Sequence, residues 1–370
     1  MDPWLTRRKI VEDIGKNTPA KEAESPHAIH AEGRTATLAD NLYDSNKRVF
    51  LTEDTDESES VSDPAQAEKN WQNYKIDEKI AFGAESVLYG ATSGDNRYCV
   101  KAIRGWVGRL LGPSEIKEQG EKRKVSYSAK VRHIKNEFDI GKKLCQSGNI
   151  PVVRMYGLRR IKPCFLELGY DLLMEYVDGN DLGDKRALKM LSLQDKIDFF
   201  YQTAIALRYM HQNGFVHLDM KPSNIMVSKG VVKLIDFGVT VPLGEKLKSL
   251  AGTAGYFSPE QIVRETVNEA TDVFALGVTF AVIFGGHRLR QSNDDIKEKT
   301  ARMEAKFHLD KSEEPLVLEV PEAHDIPKLE QLIRRCTIPK REARIKHTTT
   351  IINSLRRIAK EMDIKLTSPY

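Results

Sequence analysis

The sequence changes its hydrophobic period near Gly179, and that change limits the folds open to the chain. Before it, apolar and polar residues alternate over Lys75–Ile80, Ser86–Tyr89 and Arg97–Ile103, the repeat of half-buried antiparallel strands. Two further strands are expected over Val152–Leu158 and Leu172–Glu175, with an amphipathic helix over Val131–Cys145. After Gly179 the spacing becomes helical over Leu193–Asn213, and Gly214 stands where a C-terminal cap belongs. Helices are also expected over Thr271–Phe284, Pro327–Cys336 and Thr348–Glu361. One short strand, Val231–Ile235, follows the turn residues Lys229 and Gly230. A strand-rich part followed by a helix-rich part implies an α+β chain in two lobes with a cleft between them. The N-lobe, a small antiparallel β-sheet, is expected over residues 74–177 and a helical C-lobe over 178–365.

Residues 1–70 have a different texture. They are poor in aromatic and β-branched residues, and Glu53–Asp63 is an acidic, serine-bearing run. Such a stretch buries too little apolar surface to offset its ordering entropy, so a mobile acidic extension is expected. The rest of the 370-residue chain supports a sizeable core, since 40% of the whole sequence is hydrophobic.

The net charge of +4 gives no general argument for nucleic acid or membrane binding. A basic, glycine-broken insertion covers 104–130, with Lys122, Arg123 and Lys124 adjacent. It lacks the interleaved aromatics of a nucleic-acid surface; a solvated loop is the plainer reading, and contact with an acidic partner, or with the acidic Glu53–Asp63 run, is the functional alternative. Cys99, Cys145, Cys164 and Cys336 are widely spaced, which fits free thiols in a reducing compartment. The N-terminus carries no apolar run of signal-peptide length, and the most apolar segment, Val273–Gly286, is too short to span a bilayer. A soluble, cytoplasmic protein is expected, with export by a non-classical route left open.

The chemistry concentrates in His217-Leu218-Asp219-Met220-Lys221-Pro222-Ser223-Asn224, followed by Asp236-Phe237-Gly238. Phosphoryl transfer asks a protein mainly for positioning and charge neutralisation. Asp219 is suited to orient a hydroxyl or accept its proton, and Lys221 adds a positive charge beside it. Asn224 and Asp236 supply hard oxygen ligands for a divalent metal, Mg2+ or Mn2+. Asp, Asn and Pro also favour ordinary turns, but the whole string at this spacing is hard to reach by accident.

The string resembles the loop H-R-D-x-K-x-x-N followed by D-F-G of the eukaryotic-type protein kinase family. The resemblance implies the protein-kinase-like fold and an ATP-dependent serine/threonine-protein kinase acting on protein substrates. Further pieces fall in the family's order. Ile80-Ala81-Phe82-Gly83-Ala84-Glu85-Ser86-Val87-Leu88-Tyr89 is similar to the glycine-rich loop, with Ala81 and Ser86 replacing its first and third glycines. The implied nucleotide contacts there are Ala81, Gly83, Ser86 and Leu88. Lys101 matches the phosphate-binding lysine, and Glu137 its helical partner, although the basic insertion lengthens the separation. Leu173-Met174-Glu175-Tyr176-Val177 resembles the hinge, which would place Met174 at the back of an adenine pocket. Backbone groups of Glu175 and Val177 would meet the base, and Asp181 the ribose. The resemblance also puts Thr253 beside Asp219 and Lys221, pairs Glu260 with Arg344, and has Asp272 brace the catalytic loop.

Leu218 departs from the pattern, which has arginine there (the chain is non-RD). Leucine cannot neutralise a phosphorylated activation loop, so activity should not depend on phosphorylation between Gly238 and Gly252. Three alternatives stay open: a tyrosine or dual-specificity kinase, a small-molecule phosphotransferase, and a pseudokinase scaffold. Lys221 and the Gly252–Glu260 segment favour protein substrates, and the retained Lys101, Asp219, Asn224 and Asp236 favour catalysis. The departures from pattern suit a kinase carried by a bacterium, its virus or a pathogen.

Overall fold

The structure, a computed structural model, describes residues 74–82, 86–105, 125–145, 149–162, 165–289, 313–316 and 318–370. The N-terminal extension, Gly83 and the bulk of the basic insertion lie outside the described residues. The chain divides into two compact units. The first comprises residues up to Ile134 together with Met155–Tyr176, and the second comprises Lys135–Arg154 together with Val177–Tyr370.

The first unit holds a five-stranded antiparallel sheet of order β1-β2-β3-β5-β4. Its strands are β1 (Lys75–Phe82), β2 (Val87–Ser93), β3 (Asn96–Arg104), β4 (Met155–Ile161) and β5 (Gly169–Glu175). β3 and β5 are longer than the alternation alone predicts, because pairing continues to Arg104 opposite Gly169. β5 is buried along six of its seven residues, so its pattern reads as a continuous apolar run rather than an alternation. Ala91, Tyr98, Val100 and Leu173 form the packed face, with Tyr98 edge-on to Tyr156 at 5.4 Å. Asp171 is buried in this unit and fully engaged. Arg104 donates to its Oδ1 at 2.6 Å and Tyr74 to its Oδ2 at 2.9 Å. Burial first, then the Asp171 charge, holds the Tyr74 phenol far above its ordinary value.

Helix α1 (Tyr127–Leu144) begins a full turn earlier than its apolar period suggests. Ser126 accepts from Ala129 N through its hydroxyl, and Tyr127 donates its hydroxyl to Glu167 at 2.7 Å. The basic insertion is therefore shorter than 104–130, since Arg104 belongs to β3 and Tyr127–Lys130 to α1.

In the second unit, the long helix α3 (Leu193–Gln212) packs against α5 (Glu269–Ile283) and α7 (Thr348–Glu361). Phe200 of α3 stacks on Phe280 of α5 with ring centroids 4.1 Å apart. α3 starts at a capping box of Ser192 and Asp195, and Gly214 just past its end has φ +83°. α6 (Pro327–Cys336) lies against α5, and among the described residues the short helices α2 (Lys185–Lys189) and α4 (Pro259–Ile262) complete the α-helices of this unit. A three-stranded sheet of order β6-β8-β9 joins β6 (Asn180–Asp181), β8 (Ile225–Ser228) and β9 (Val231–Leu234). β7 (Phe215–Val216) pairs with β10 (Val241–Pro242). Lys229 and Gly230, with φ of 50° and 77°, form the two-residue turn between β8 and β9. The C-terminal residues also belong to this unit: Thr367 N donates to Asp198 at 2.7 Å, and Tyr370 donates its hydroxyl to Val232 O.

Candidate active site

The β8–β9 hairpin explains why residues twelve apart in the chain can act together. Ile225 opposes Leu234 at its open end, and Ile235 N donates to Asn224 O at 3.1 Å. Asn224 and Asp236 are thus carried on adjacent strand ends. Asp236 has φ +66°, a left-handed backbone that costs a non-glycine residue roughly 1–2 kcal/mol. The turn that follows is held by Asn136 of α1. Its side-chain nitrogen donates to the carbonyls of Phe237, Gly238 and Thr240 at 3.1, 3.1 and 2.9 Å. Sequence reasoning passed over Asn136 in favour of its neighbour Glu137, because an asparagine on a helix carries no signal of a distant backbone partner.

Asp219 is nearly buried, at 7% exposure, and its two oxygens differ in partners. Oδ2 accepts from Lys221 Nζ at 2.7 Å and from Asn224 Nδ2 at 3.2 Å. Oδ1 is buried with no hydrogen-bond partner, one of three such side-chain atoms among the described residues. A buried acceptor left unpaired costs roughly 1–3 kcal/mol, which makes a hydroxyl-bearing ligand its natural complement. Lys221 also donates to Thr253 Oγ1 at 2.9 Å, tying this loop to the Gly252–Glu260 segment. With its nitrogen committed to Asp219, Asn224 retains its amide oxygen for a cation.

The loop backbone is braced from α5. Asp272, fully buried, accepts from His217 N at 2.8 Å and Leu218 N at 2.9 Å, and from His211 at 2.8 Å. These bonds pin Leu218 in a left-handed conformation, φ +68°. Gln261 of α4, also fully buried, donates to Leu218 O at 2.9 Å and to Ala251 O at 3.0 Å. Gly252 is required at this crossing, because a Cβ there would stand 2.6 Å from Leu218 O. The Leu218 side chain packs with Val216, Leu247 and Val267, and with Val239, Val241, Leu243 and Ala251 at its edges. Five of those seven neighbours, Val239, Val241, Leu243, Leu247 and Ala251, lie in the segment between Gly238 and Gly252. Backbone bonds of Gly244 N to Val267 O and Val267 N to Glu245 O, both at 3.0 Å, hold the same segment.

In the first unit, cross-strand register aligns a second group. Ala81 opposes Leu88, Leu88 opposes Lys101, and Lys101 opposes Leu172. Directly opposed residues share a face, and Met174 is two residues beyond Leu172, so Ala81, Leu88, Lys101 and Met174 stand on one side of the sheet. Ser86 is buried just before β2, and Glu175 ends β5. Glu137 is buried in α1 at 2% exposure. Val177 and Asp181 belong to the second unit, where Asp181 Oδ1 accepts from Gly183 N at 2.9 Å.

Glu260 and Arg344 form a two-pronged ion pair at 2.8 and 3.1 Å, 1% and 0% exposed. Burial alone would raise the Glu260 carboxyl, but the Arg344 guanidinium outweighs it and holds the group below its ordinary value. No cluster of three or more His, Cys, Asp or Glu side chains suited to a metal occurs among the described residues. An oxygen pair such as Asn224 and Asp236 instead fits a small hard cation that brings most of its own ligands, as magnesium does with phosphates.

The fold and the loop geometry define the class of protein. The protein kinase domain model matches residues 93–354, so the chain belongs to that family. Among its relatives, it is 31% identical to myosin light chain kinase 3 of Rattus norvegicus over 74% of this chain and 33% of that one. It is 39% identical to an Aurora kinase of Eremothecium gossypii over 35% of this chain and 36% of the other. Serine/threonine-protein kinase PknB of Mycolicibacterium smegmatis is 38% identical over 31% of this chain and 20% of its own length. The chain spans about a third or less of these relatives. No described helix is long and apolar enough to cross a membrane.

Proposed function

We propose that this chain is a serine/threonine-protein kinase that transfers the γ-phosphate of ATP to hydroxyls of protein substrates. The observation that carries the reading is the divided environment of Asp219, with Oδ2 fixed by Lys221 and Asn224 and Oδ1 left unpartnered. Oδ1 is the atom that would receive the hydroxyl proton of a bound serine or threonine. Lys221, anchored on Asp219 and Thr253, keeps a positive charge beside that exchange and fixes the carboxylate rotamer. Thr253, on the segment facing the substrate in this reading, supports a serine/threonine acceptor.

Asn224 and Asp236 would hold the metal, and Lys101 with Glu137 would fix the phosphates. Ala81, Gly83, Ser86, Leu88, Met174, Glu175, Val177 and Asp181 would form the nucleotide site. The metal–nucleotide supplies the phosphoryl group and neutralises its developing charge when bound. Transfer of labelled phosphate to a mixed protein substrate, lost in Asp219→Asn and Asp236→Asn, is the expected result. Phosphoamino-acid analysis should return phosphoserine and phosphothreonine. Nucleotide binding without any transfer would leave a binding scaffold as the surviving reading.

The proposal extends to control. Leu218 replaces a charge-based anchor with an apolar one, so the segment after Gly238 is held without a phosphate. Thr240 is buried at 2%, whereas Ser249 is exposed. A Thr240→Val/Ser249→Ala double variant should retain activity. Its inactivity with an unchanged melting temperature would overturn phosphate independence.

A further inference from the structure

The turn beside Asp219 carries an arginine that the phosphotransfer chemistry does not use. Gly255 has φ +96°, and a Cβ there would stand 2.8 Å from Arg288 Cδ and 3.1 Å from its Cγ. Leu289 N donates to Gly255 O at 3.1 Å, fastening the backbone that bears Arg288 onto this turn. Glycine at 255 therefore makes room for the aliphatic stem of Arg288. The same turn closes with Tyr256 N donating to Thr253 O at 3.2 Å, and Thr253 is the residue that accepts from Lys221. Burial is the main cause of the raised Tyr256 phenol value, with the Arg288 charge opposing and the Asp219 charge assisting. One phenol thus feels both the arginine and the catalytic carboxylate. Arg288 itself is exposed, and its guanidinium makes no ion pair among the described residues.

A guanidinium with a packed stem and an unengaged head is pre-organised to take a carboxylate or phosphate in a two-pronged contact. This turn is joined to Asp219 through Thr253 and Lys221, so a peptide that delivers its hydroxyl to Asp219 would bring its flanking side chains near it. From this we infer that Arg288 is a specificity-determining residue, selecting acceptor peptides that carry an anionic side chain, carboxylate or phosphorylated, within a few residues of the target serine or threonine. A solvated arginine with no ligand is the competing account. The inference rests on Asp219 acting on polypeptide hydroxyls, as proposed above.

The test compares peptides with one threonine acceptor that differ only at one flanking position, carrying alanine, glutamate, phosphoserine or lysine. Each is assayed for kcat/KM with the wild type, Arg288→Ala and Arg288→Glu. The wild type should favour an acidic over a neutral peptide by about tenfold, the scale of one charge-assisted hydrogen bond. Arg288→Ala should bring the acidic-to-neutral ratio close to one, and Arg288→Glu should reverse it in favour of lysine. The glutamate and phosphoserine arms separate a simple acidic motif from a pre-phosphorylated one. A wild-type ratio near one, or a preference that survives in Arg288→Ala, overturns the role of Arg288 and leaves the kinase reading intact. Failure to phosphorylate any peptide or protein overturns both.

Discussion

Leu218 and Asn136 do their work by fixing backbone rather than by touching a reacting group. The left-handed turn at Leu218 is opposed by steric strain and held by three hydrogen bonds, two through its own N–H and C=O and one through His217 N. Its side chain adds apolar burial of about 1.5–3 kcal/mol. Leu218→Ala should lower stability by about 2–5 kcal/mol in urea titration, because it opens a cavity under Leu243 and Leu247. The same variant should expose Lys246 and Lys248 to faster tryptic cleavage, as the segment loses its apolar anchor. Asn136 holds three carbonyls after Asp236, so Asn136→Ala should reduce kcat by tenfold or more, roughly the effect of displacing a metal ligand by a fraction of an ångström. Asn136→Asp should fail as well, since a carboxylate cannot donate to those carbonyls. A full rate in either variant would show that the turn holds itself.

At the scale of elements, β8–β9 carries the two candidate metal ligands at one end and a strained turn at the other. Lys229 adopts φ +50° where asparagine or glycine is the residue of choice. Lys229→Asn should therefore raise the melting temperature, with a gain of several tenths of a kcal/mol to about 1 kcal/mol. It should leave kinase activity unaltered, because the turn closes the opposite end of the hairpin from Asn224 and Asp236. Helices with strong period and clear caps were legible. Pro327–Cys336 and Thr348–Glu361 run as expected, and α3 and α5 shift by no more than two residues at any end. The two-residue strands β6, β7 and β10 were not legible, since their pairing partners are distant and no periodicity fits in two residues. β8 was missed for a related reason: it follows directly on the Pro222–Asn224 turn, whose residues mask the start of a strand.

Across the second unit, Glu260 and Arg344 join segments 84 residues apart, and the guanidinium also donates to the carbonyls of Ile338, Pro339 and Ala270. Replacing only Glu260, as in Glu260→Gln, leaves that cation buried and should cost about 3–5 kcal/mol at neutral pH. The Glu260 carboxyl is held below its ordinary value, so its contribution is present above the usual carboxylate range. It is lost as pH falls through the depressed folded value. Wild-type and Glu260→Gln stability curves should therefore converge on acidification, and parallel curves would refute the assignment. Cys336 lies fully buried beneath the same region, where burial pushes its thiol up to about 12. It should resist alkylation in the native protein at pH 8.

The sequence alone determined the long helices and the strands of the first sheet, the family resemblance, and the choice of Asp219, Asn224 and Asp236 as candidate site residues. Those depend on local period, turn chemistry and contiguous motifs, all of which are written in neighbouring residues. Only the tertiary structure decided that Asn136 grips the turn after Asp236, that Gln261 pins Leu218, and that Arg288 rests on Gly255. Each of these joins side chain to backbone across tens of residues, or a hundred in the case of Asn136, and a backbone carbonyl has no residue identity for a sequence to reveal. Leu218 shows the division most plainly. Its substitution for arginine was visible at once, but the apolar cluster that gives the leucine a purpose exists only after folding.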